Sequence, residues 1–324
     1  MEREPLLLEP EVMPSLSHPQ QKTPKIKPSH LRLVDAGEKI AEEAPDGKDK
    51  AFTTRYLVQA TLPHRNPKDN PPFWYRVNGN YTLTIQPGTC TNPRTGKPEI
   101  LGYPFGSLPR LLLFWLTTEA LRTGSRKLVL GSNLADFMTQ LGLNPRNGGP
   151  GSKRSDRNRL HGQMERLFGA KISFEYVNER QRSWINMDIA PEGQLWWDAK
   201  SPEQLTLYES WIELGEKFFS AITSAPIPVD FRALRELKNS PLALDLYAWC
   251  TYKTYLVNKN RKPQRIGWRQ IQEQFGADYI DSKEFKRSAK YALRKIAIVY
   301  PGLNLDEVDG GLIIHPGRTA IPSQ

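Results

Sequence analysis

The sequence predicts an α+β protein in which one structural unit, two helices followed by a β-hairpin, occurs twice. In each copy the longer helix carries apolar residues at relative positions 0, 4, 7 and 8, which places them on one stripe of an α-helix. A short amphipathic segment that ends at a glycine precedes each long helix, and two β-like runs follow it. The two stripes are Leu160, Met164, Leu167 and Phe168, and Phe285, Ala289, Ala292 and Leu293.

Residues 1–50 are predicted to form a disordered tail. They are rich in Pro, Glu and Lys, contain few aromatic residues, and hold 8 basic and 10 acidic residues. Such a composition buries too little apolar surface to offset the entropy lost on ordering. The remaining residues, 51–324, carry 37 basic and 25 acidic residues, so the positive charge of the chain belongs to its folded part.

A β-rich extension is predicted over residues 51–107. Residues 53–62 and 74–85 are rich in the β-branched and aromatic residues that strands favour. Asn78-Gly79-Asn80 is a good hairpin turn, because Asn and Gly tolerate the positive φ angles that tight turns require. Glycines and prolines then interrupt the chain before the first predicted helix.

The first unit is predicted to contain, in order, a helix, a strand, two further helices and a hairpin. Its first helix has a proline early, where the missing N–H does no harm. Ser132 is suited to cap the start of the next helix and Gly142 to end it, and a Gly/Pro/Asn loop then leads to the long helix. These elements are predicted at residues 109–122, 127–130, 134–141, 153–168, 171–177 and 184–189.

The second unit follows a stretch marked by Trp196, Trp197 and Pro202. It is predicted to open with a strand at 204–214 and two helices, at 215–223 and 230–237. The elements that repeat the plan of the first unit come next. They are predicted at residues 242–257, 263–267, 268–275, 281–299, 303–308 and 312–315.

Two helices followed by a hairpin form a helix-turn-helix with an attached wing. The sequence therefore predicts two tandem winged-helix domains. The first occupies residues 51–198 and includes the β-rich extension, and the second occupies residues 199–324. Two such domains in one basic chain indicate a protein that reads duplex DNA at two places.

The long helix of the second unit presents a basic face opposite its apolar stripe. An α-helix fits the major groove of B-DNA, where long cationic side chains reach phosphates and base edges. A solvated charged face would be the simpler explanation for a lone amphipathic helix, but the duplication and the flanking helix and hairpin favour DNA. The predicted contacts on this helix are Lys283, Lys286, Arg287, Lys290 and Arg294.

The long helix of the first unit carries its candidate DNA contacts near its start, where recognition helices present side chains to base edges. These residues are Lys153, Arg154, Arg157, Asn158 and His161. The hairpin turn that follows adds Arg180 and Arg182, which suit the phosphate backbone or the minor groove. An exposed charged turn without a DNA contact explains these two arginines equally well.

The second hairpin differs, because Asp306, Glu307 and Asp309 surround its turn and would repel phosphate. We therefore expect this wing to contribute less than the first. The loop before the second unit's short strand is a better candidate for backbone contacts. Its predicted DNA-binding residues are Lys259, Arg261 and Lys262.

Bulk properties and residue spacing indicate a non-enzymatic protein. The five histidines are too widely spaced to bind a metal together, and no catalytic, metal or cofactor-binding residue is predicted. The two cysteines fit a reducing compartment. The glycine-rich run at 148–153 fails as a phosphate loop, because Ser152 separates Gly151 from Lys153 and the run follows a helix. The net charge of +10 attracts polyanions, and no apolar run reaches the ~18 residues of a membrane span.

Residues 204–208, Gln-Leu-Thr-Leu-Tyr, resemble the short peptide by which some replication proteins bind the sliding clamp. Their place in a predicted strand argues against that role.

Several ordered motifs together resemble the plasmid RepA family of replication initiators. They include the helix with Leu116-Thr117-Thr118-Glu119, the run Leu195-Trp196-Trp197-Asp198, and further segments. The resemblance covers about residues 100–301, and residues 52–100 more loosely. The motifs lie at residues 109–111, 116–123, 125–131, 163–168, 195–198, 241–247 and 274–279.

The resemblance implies tandem winged-helix domains that bind repeated sites, called iterons, at a plasmid origin. It implies a cytoplasmic protein of a bacterial host that remodels the origin, with the host initiator, replicative helicase and sliding clamp as partners. It also implies a homodimer that represses its own gene or limits replication. Two alternatives stay open: a dimeric winged-helix transcriptional repressor, and a DNA-nicking or primase-type replication enzyme.

Overall fold

The computed structural model describes residues 28–147, 155–197, 204–276 and 279–322. Among these residues, none of the helices has the length and apolar character that a membrane crossing requires. The mixed helix and strand content predicted from the sequence is confirmed. The helices, in chain order, are α1 (Pro28–Glu42), α2 (Arg55–Gln59), α3 (Ser107–Thr123), α4 (Leu134–Gln140), α5 (Asp156–Phe168), α6 (Glu216–Ser224), α7 (Phe231–Leu237), α8 (Pro241–Asn260), α9 (Trp268–Phe275) and α10 (Ser282–Val299).

The described strands form small antiparallel sheets. The strands are β1 (Lys50–Thr54), β2 (Trp74–Asn78), β3 (Tyr81–Gln86), β4 (Thr89–Thr91), β5 (Pro98–Ile100), β6 (Lys127–Gly131), β7 (Lys171–Val177), β8 (Arg182–Asp188), β9 (Glu192–Gln194), β10 (Ser210–Glu213), β11 (Pro226–Asp230), β12 (Gln264–Gly267), β13 (Leu305–Val308) and β14 (Gly311–Ile314). Their orders in the sheets are β2-β3-β7-β8, β6-β10-β9, β12-β14-β13, β1-β11 and β4-β5.

Both predicted units of two helices and a hairpin are present in the fold. The first contains α4, α5 and the β7–β8 hairpin, and the second contains α9, α10 and the β13–β14 hairpin. Side-chain caps begin both long helices. Ser155 Oγ accepts a hydrogen bond from the Asn158 N–H at 3.3 Å, and Asp281 Oδ1 accepts one from the Lys283 N–H at 2.9 Å.

The two units differ in the pairing partner of the strand that precedes the two helices. In the second unit, β12 pairs directly with β14 of the hairpin. In the first, β6 pairs with β10, while the β7–β8 hairpin extends the sheet of β2 and β3. The β-rich extension therefore becomes part of the first unit's hairpin sheet.

Two clusters of buried apolar side chains form the interior. Ile212, Phe218 and Ile222 belong to the first cluster and Ile227 and Val229 to the second, so the chain passes between clusters after α6. The chain thus leaves the first cluster about 25 residues after the predicted domain boundary at 198–199. It stays with the first cluster that far because β10 pairs with β6 and α6 packs on α3. The division of the chain into domains stays a prediction.

The prediction of a disordered tail over residues 1–50 is wrong for residues 28–50, while residues 1–27 lie outside the described residues. Helix α1 packs on α7 and α10, and Leu33 is buried in the second cluster. β1 pairs with β11, although more than 170 residues separate the two strands in the sequence. The partners that order this segment lie in the second half of the chain, so its local composition does not reveal them.

Two predicted strands are shorter than expected. The strand predicted at 53–62 ends at Thr54, where its partner β11 begins at Pro226, and α2 follows with Val58 buried. The strand predicted at 204–214 is limited to β10, and residues 204–209 form an irregular segment. This second difference leaves the Gln-Leu-Thr-Leu-Tyr peptide outside any strand.

Candidate nucleic-acid interface

The long helices of both units bury the apolar stripes that the sequence predicts. In α10, the side chains of Phe285, Ala289, Ala292 and Leu293 are all buried. In α5, Leu160, Met164 and Leu167 are fully buried, whereas Phe168 is half-buried. Each helix therefore has one face fixed in the interior and another face directed to solvent.

The basic face of α10 is divided between free and engaged cations. Lys283, Arg287 and Arg294 are exposed. Lys286 and Lys290 are half-buried, and their Nζ atoms lie 5.5 and 6.0 Å from the centre of the Trp268 ring. The ring draws both lysines toward the start of α9, so the exposed stripe is narrower than the sequence predicts.

The acidic second hairpin contacts this basic face. Glu307 forms an ion pair with Lys290, and Asp306 Oδ2 lies 3.0 Å from His315 Nε2. Glu307 therefore neutralises one of the five predicted cations of α10. The expectation that the second wing contributes less to DNA binding than the first stays a prediction.

Tyr291 lies on the same exposed side of α10 and was missed by the sequence analysis. Its ring is half exposed, and the Lys295 Nζ lies 4.5 Å from its centre. Tyr291 follows Arg287 by four residues and precedes Arg294 by three, so helical spacing alone places it in the same stripe. An aromatic ring flanked by cations can contact both the sugar and the phosphate of a DNA backbone.

The candidate residues of α5 are less exposed than those of α10. Arg157, Asn158 and His161 are half-buried, and the His161 Nδ1 lies 3.6 Å from Glu165 Oε2. The hydrogen bond to His161 lowers the pKa of Glu165, although partial burial opposes that shift. The predicted contacts Lys153 and Arg154 lie outside the described residues.

The exposed side of α5 borders the second unit. Asn158, Arg159, Gly162 and Arg166 line a cavity of about 420 Å³ whose far wall includes Asn239 and Pro241, where α7 gives way to α8. Arg159 is exposed and its Nη1 lies 3.2 Å from Asp156 Oδ1. Asn239 and Pro241 therefore lie beside this face of α5, and a duplex at α5 would also meet the start of α8.

The β7–β8 turn holds its two arginines differently. Asn178 Oδ1 accepts hydrogen bonds from the Arg180 and Gln181 N–H groups at 2.9 and 2.8 Å, which fixes the turn. The side chain of Arg180 is exposed, whereas Arg182 forms an ion pair with Glu175 and lies 5.6 Å from the centre of the Trp184 ring. Arg180 is the freer of the two for a phosphate contact.

The three cations predicted in the loop before β12, Lys259, Arg261 and Lys262, are all exposed, but Lys259 belongs to the last turn of α8 and only Arg261 and Lys262 follow the helix. Arg261 has a φ of 52° and ends α8 in the left-handed region. Cations at a helix C-terminus also interact favourably with the helix dipole, so this position has a structural explanation as well as a functional one.

A buried ion pair joins the two units. Arg110 on α3 donates from Nε and Nη2 to the two carboxylate oxygens of Asp245 on α8, at 2.7 and 2.8 Å, and His64 Nε2 lies 2.8 Å from the same carboxylate. Burial alone would raise the pKa of Asp245, but Arg110 and His64 outweigh it and lower that pKa to about 2. Asp245 is therefore ionised at neutral pH and holds α8 against α3.

The described residues contain no group of three or more His, Cys, Asp or Glu side chains arranged to hold a metal ion. Cys250 is buried in α8, and burial raises the pKa of its thiol.

Comparison with known proteins gives a family. Two solved structures of domains 2 and 3 of RctB, one of them a selenomethionine derivative, align with 80% of this chain and 94% of their own. The derivative has a TM-score of 0.49 and 12% identity, and the other structure a TM-score of 0.43 and 10% identity. No curated protein sequence matches this chain. A family profile described as plasmid encoded RepA protein matches residues 103–270, which is more than half of the sequence. The chain therefore belongs to the plasmid RepA family of replication initiators.

Proposed function

We propose that this protein binds repeated sites at a plasmid origin through two winged-helix units and carries out no chemistry on DNA itself. It acts in the cytoplasm of a bacterial host, where it brings host replication proteins to the origin. The observation that carries the proposal is the exposed row of Lys283, Arg287 and Arg294 on α10, opposite a completely buried apolar stripe.

The element order of the second unit supports a winged helix. Helix α8 is followed by β12, α9, α10 and the β13–β14 hairpin, and β14 lies between β12 and β13 in one sheet. In winged-helix proteins of this order, the helix before the hairpin enters the major groove. α10 holds that position.

The first unit has the same order but a different sheet. Helices α3, α4 and α5 and the β7–β8 hairpin follow in sequence, while the hairpin pairs with β3 instead of β6. We assign α5 to the second major-groove contact and Arg180 to the backbone beside it. Two recognition helices on one duplex imply half-sites about one helical turn, ~10–10.5 bp, apart.

The test measures binding of purified protein to its origin repeats. Replacing Lys283, Arg287 and Arg294 with Ala should abolish sequence-specific binding and reduce the log–log salt slope by roughly 2–3, since each phosphate contact contributes ~0.9. The matched control replaces three exposed cations distant in sequence, Lys68, Arg94 and Lys97, with Ala and changes the net charge equally. Equal loss in both variants would show that only bulk charge matters and would refute the assignment of α10.

Footprinting and incubation with supercoiled origin DNA separate the alternatives. The proposal expects protection of direct repeats by a monomer and no change in DNA topology with Mg²⁺. A dimeric repressor would instead protect a palindrome, and a nicking enzyme would produce relaxed circles.

A host-partner contact is supported by the segment at residues 204–208. Leu205, Leu207 and Tyr208 are 71%, 96% and 62% exposed, while Thr206 between them is held by hydrogen bonds from its N–H and Oγ1 to the Ser132 carbonyl oxygen. The segment therefore presents three apolar side chains from an anchored backbone, as a short peptide that fills a partner's apolar cleft would.

We propose that this segment binds the host sliding clamp. Replacing Leu205 and Leu207 with Ala should remove binding to purified clamp, measured by surface plasmon resonance, and leave origin binding intact. The control replaces two other exposed apolar residues, Leu31 and Val34 on α1, with Ala. Clamp binding that survives the first variant would exclude this segment as the contact.

A further inference from the structure

A cleft lined by aromatic side chains lies where the hairpin sheet of the first unit meets α2, α8 and β12. It consists of two neighbouring cavities of about 580 and 660 Å³. Both cavities are lined by Gln59, Tyr81, Tyr176 and Tyr252, so they meet along these four residues. We call this feature the inter-unit cleft. Neither long helix lines it, so it is separate from the proposed duplex contacts.

The aromatic side chains of the inter-unit cleft are only partly used for packing. The rings of Tyr81 and Tyr176 lie 4.9 Å apart at an angle of 55°, and Tyr81 remains 36% exposed. Tyr56 on α2 and Tyr252 on α8 are half-buried, and Trp184 on β8 is 64% exposed. Aromatic rings that only stabilise a core lose this access to solvent, so the rings here have faces available to a ligand.

Side-chain amides supply most of the polar lining. Asn80, Asn178 and Gln181 come from the ends of the hairpins, and Gln264 and Gln270 come from the second unit. An amide both donates and accepts hydrogen bonds, which suits the edges of all four bases. Some of these amides are already engaged: Asn178 uses its side chain in the turn and toward Tyr176 Oη, and Gln264 Oε1 accepts from Lys253 Nζ at 3.2 Å. The remaining donors and acceptors beside the rings suit unpaired bases without strong sequence preference.

The charge of the cleft favours a polyanion. Arg55 and Lys253 line its two halves, and neither has an ion-pair partner among the described residues. The carboxylates that line it are already paired: Glu175 with Arg182, and Glu273 with Arg269 at 2.9 Å. Arg55 is exposed, whereas Lys253 is half-buried, its Nζ donates to Gln264 Oε1 at 3.2 Å, and burial lowers its pKa. The cleft therefore combines aromatic rings with two cations that no carboxylate of the described residues pairs, which is the composition of a single-strand binding groove.

A duplex does not use these groups. The bases of B-DNA stack on one another and expose only their edges, so the faces of Tyr81, Tyr176 and Tyr252 would meet no base face in a double helix. A single strand can unstack and place its bases against such rings. These lining groups thus distinguish the inter-unit cleft from α10, which offers cations without a cleft.

We propose that the inter-unit cleft binds single-stranded DNA, with bases stacked on Tyr81, Tyr176 and Tyr252 and phosphates beside Arg55 and Lys253. The inference rests on the proposed function in one respect, because a protein that remodels an origin generates single strands next to its duplex sites. The protein would then bind one strand of the opened region in the cleft while α5 and α10 remain bound to the duplex repeats.

The experiment is fluorescence anisotropy of a labelled oligothymidylate of about 15 nucleotides, with the origin duplex measured in parallel. Tyr81→Ala and Tyr252→Ala should each weaken single-strand binding by roughly 5- to 150-fold, since base–aromatic stacking contributes about that factor per base. Tyr81→Phe and Tyr252→Phe keep the ring and should retain binding. Duplex affinity should stay within about twofold in all four variants.

The matched control is Tyr75→Ala, which removes an exposed tyrosine from the outer face of the same sheet. It should leave single-strand binding unchanged, and Tyr81→Ala keeps the test valid if loss of the half-buried Tyr252 disturbs folding. The α10 triple variant should lose duplex binding and keep single-strand binding, so the two proposals fail independently. A wild-type protein that does not bind the oligonucleotide, or equal losses in Tyr75→Ala and Tyr81→Ala, would overturn the inference.

Discussion

Arg110 and Asp245 form a bidentate ion pair that crosses from one half of the protein to the other. They lie 135 residues apart in the sequence, on α3 and α8, and both side chains are almost fully buried. The remaining N–H groups of Arg110 donate to the carbonyl oxygens of Leu62, Pro63 and Gly106. Both charges are therefore paired and hydrogen-bonded in the interior, and the ion pair links α3 of the first unit to α8 of the second.

Removing one partner of this pair should be strongly destabilising. Asp245→Ala leaves a buried guanidinium without its counter-charge, so we expect the free energy of unfolding to fall by ~3–5 kcal/mol in urea titrations. Asp309→Ala, at an exposed turn, should change stability by less than about 0.5 kcal/mol. A loss of similar size in both variants would mean that the Arg110–Asp245 pair contributes no specific stability.

The histidine of the same network predicts a pH dependence. Burial lowers the pKa of His64 below its ordinary value of 6.5, although its hydrogen bond to Asp245 opposes the shift. Below pH 6.5 the unfolded chain binds a proton at His64 that the folded chain does not yet bind, so stability should decrease as the pH falls through this range. The slope should not exceed about 1.4 kcal/mol per pH unit for one group.

The pH dependence of urea unfolding checks this prediction. His64→Gln should flatten the slope below pH 6.5, whereas His30→Gln, on the exposed side of α1, should preserve it. An unchanged slope in the His64 variant would assign the pH dependence to other groups. The loss expected from Asp245 occurs at more acidic pH, between its ordinary pKa of 3.8 and its folded value of about 2, and is separable on that ground.

The close approach of α1 and α10 at Gly37 predicts a second substitution that lowers the stability of the fold. A Cβ atom at Gly37 of α1 would lie 2.4 Å from the carbonyl oxygen of Ile298 on α10, so Gly37→Ala should force the helices apart and cost ~1–3 kcal/mol. Limited proteolysis should then cleave near α1 sooner. The control is Gly162→Ala in α5, where a Cβ meets nothing within 4 Å and should stabilise the helix by about 0.5–1 kcal/mol. Destabilisation by both substitutions would point to a general intolerance of added methyl groups instead of the crossing.

Local periodicity was sufficient to predict the long helices and their buried stripes. The inward positions of Phe285, Ala289 and Leu293 in α10 follow from the 3.6-residue spacing alone. The ordering of α1 and β1 could not be predicted in this way, because Leu33 packs against α10 and Thr54 pairs with Pro226, both of which are distant in the sequence. The Arg110–Asp245 pair could not be predicted either, because its two residues are also distant in the sequence.

The sequence predicts cations on the outward face of α10 but does not predict how exposed each of them is. Lys283, Arg287 and Arg294 are exposed as a charged helix face requires, but Lys286 and Lys290 are drawn toward Trp268. No spacing rule links Trp268 to those lysines, because the contact depends on how α9 crosses the side of α10. The inter-unit cleft was missed altogether, since its walls come from α2, the first hairpin sheet and α8.

The ion pair between Lys290 and Glu307 predicts a substitution that strengthens DNA binding. Glu307→Gln removes a negative charge that would lie near the DNA backbone and frees Lys290 to contact a phosphate. The affinity for the origin repeats should therefore rise, and the log–log salt slope of binding should steepen by up to ~0.9. Asp309→Asn changes the net charge equally but frees no lysine, so it should raise affinity less and leave the slope nearly unchanged. Filter binding across a salt series measures both quantities. If the two variants behave alike, the effect comes from general repulsion, and Lys290 lies too far from the DNA for its release to matter.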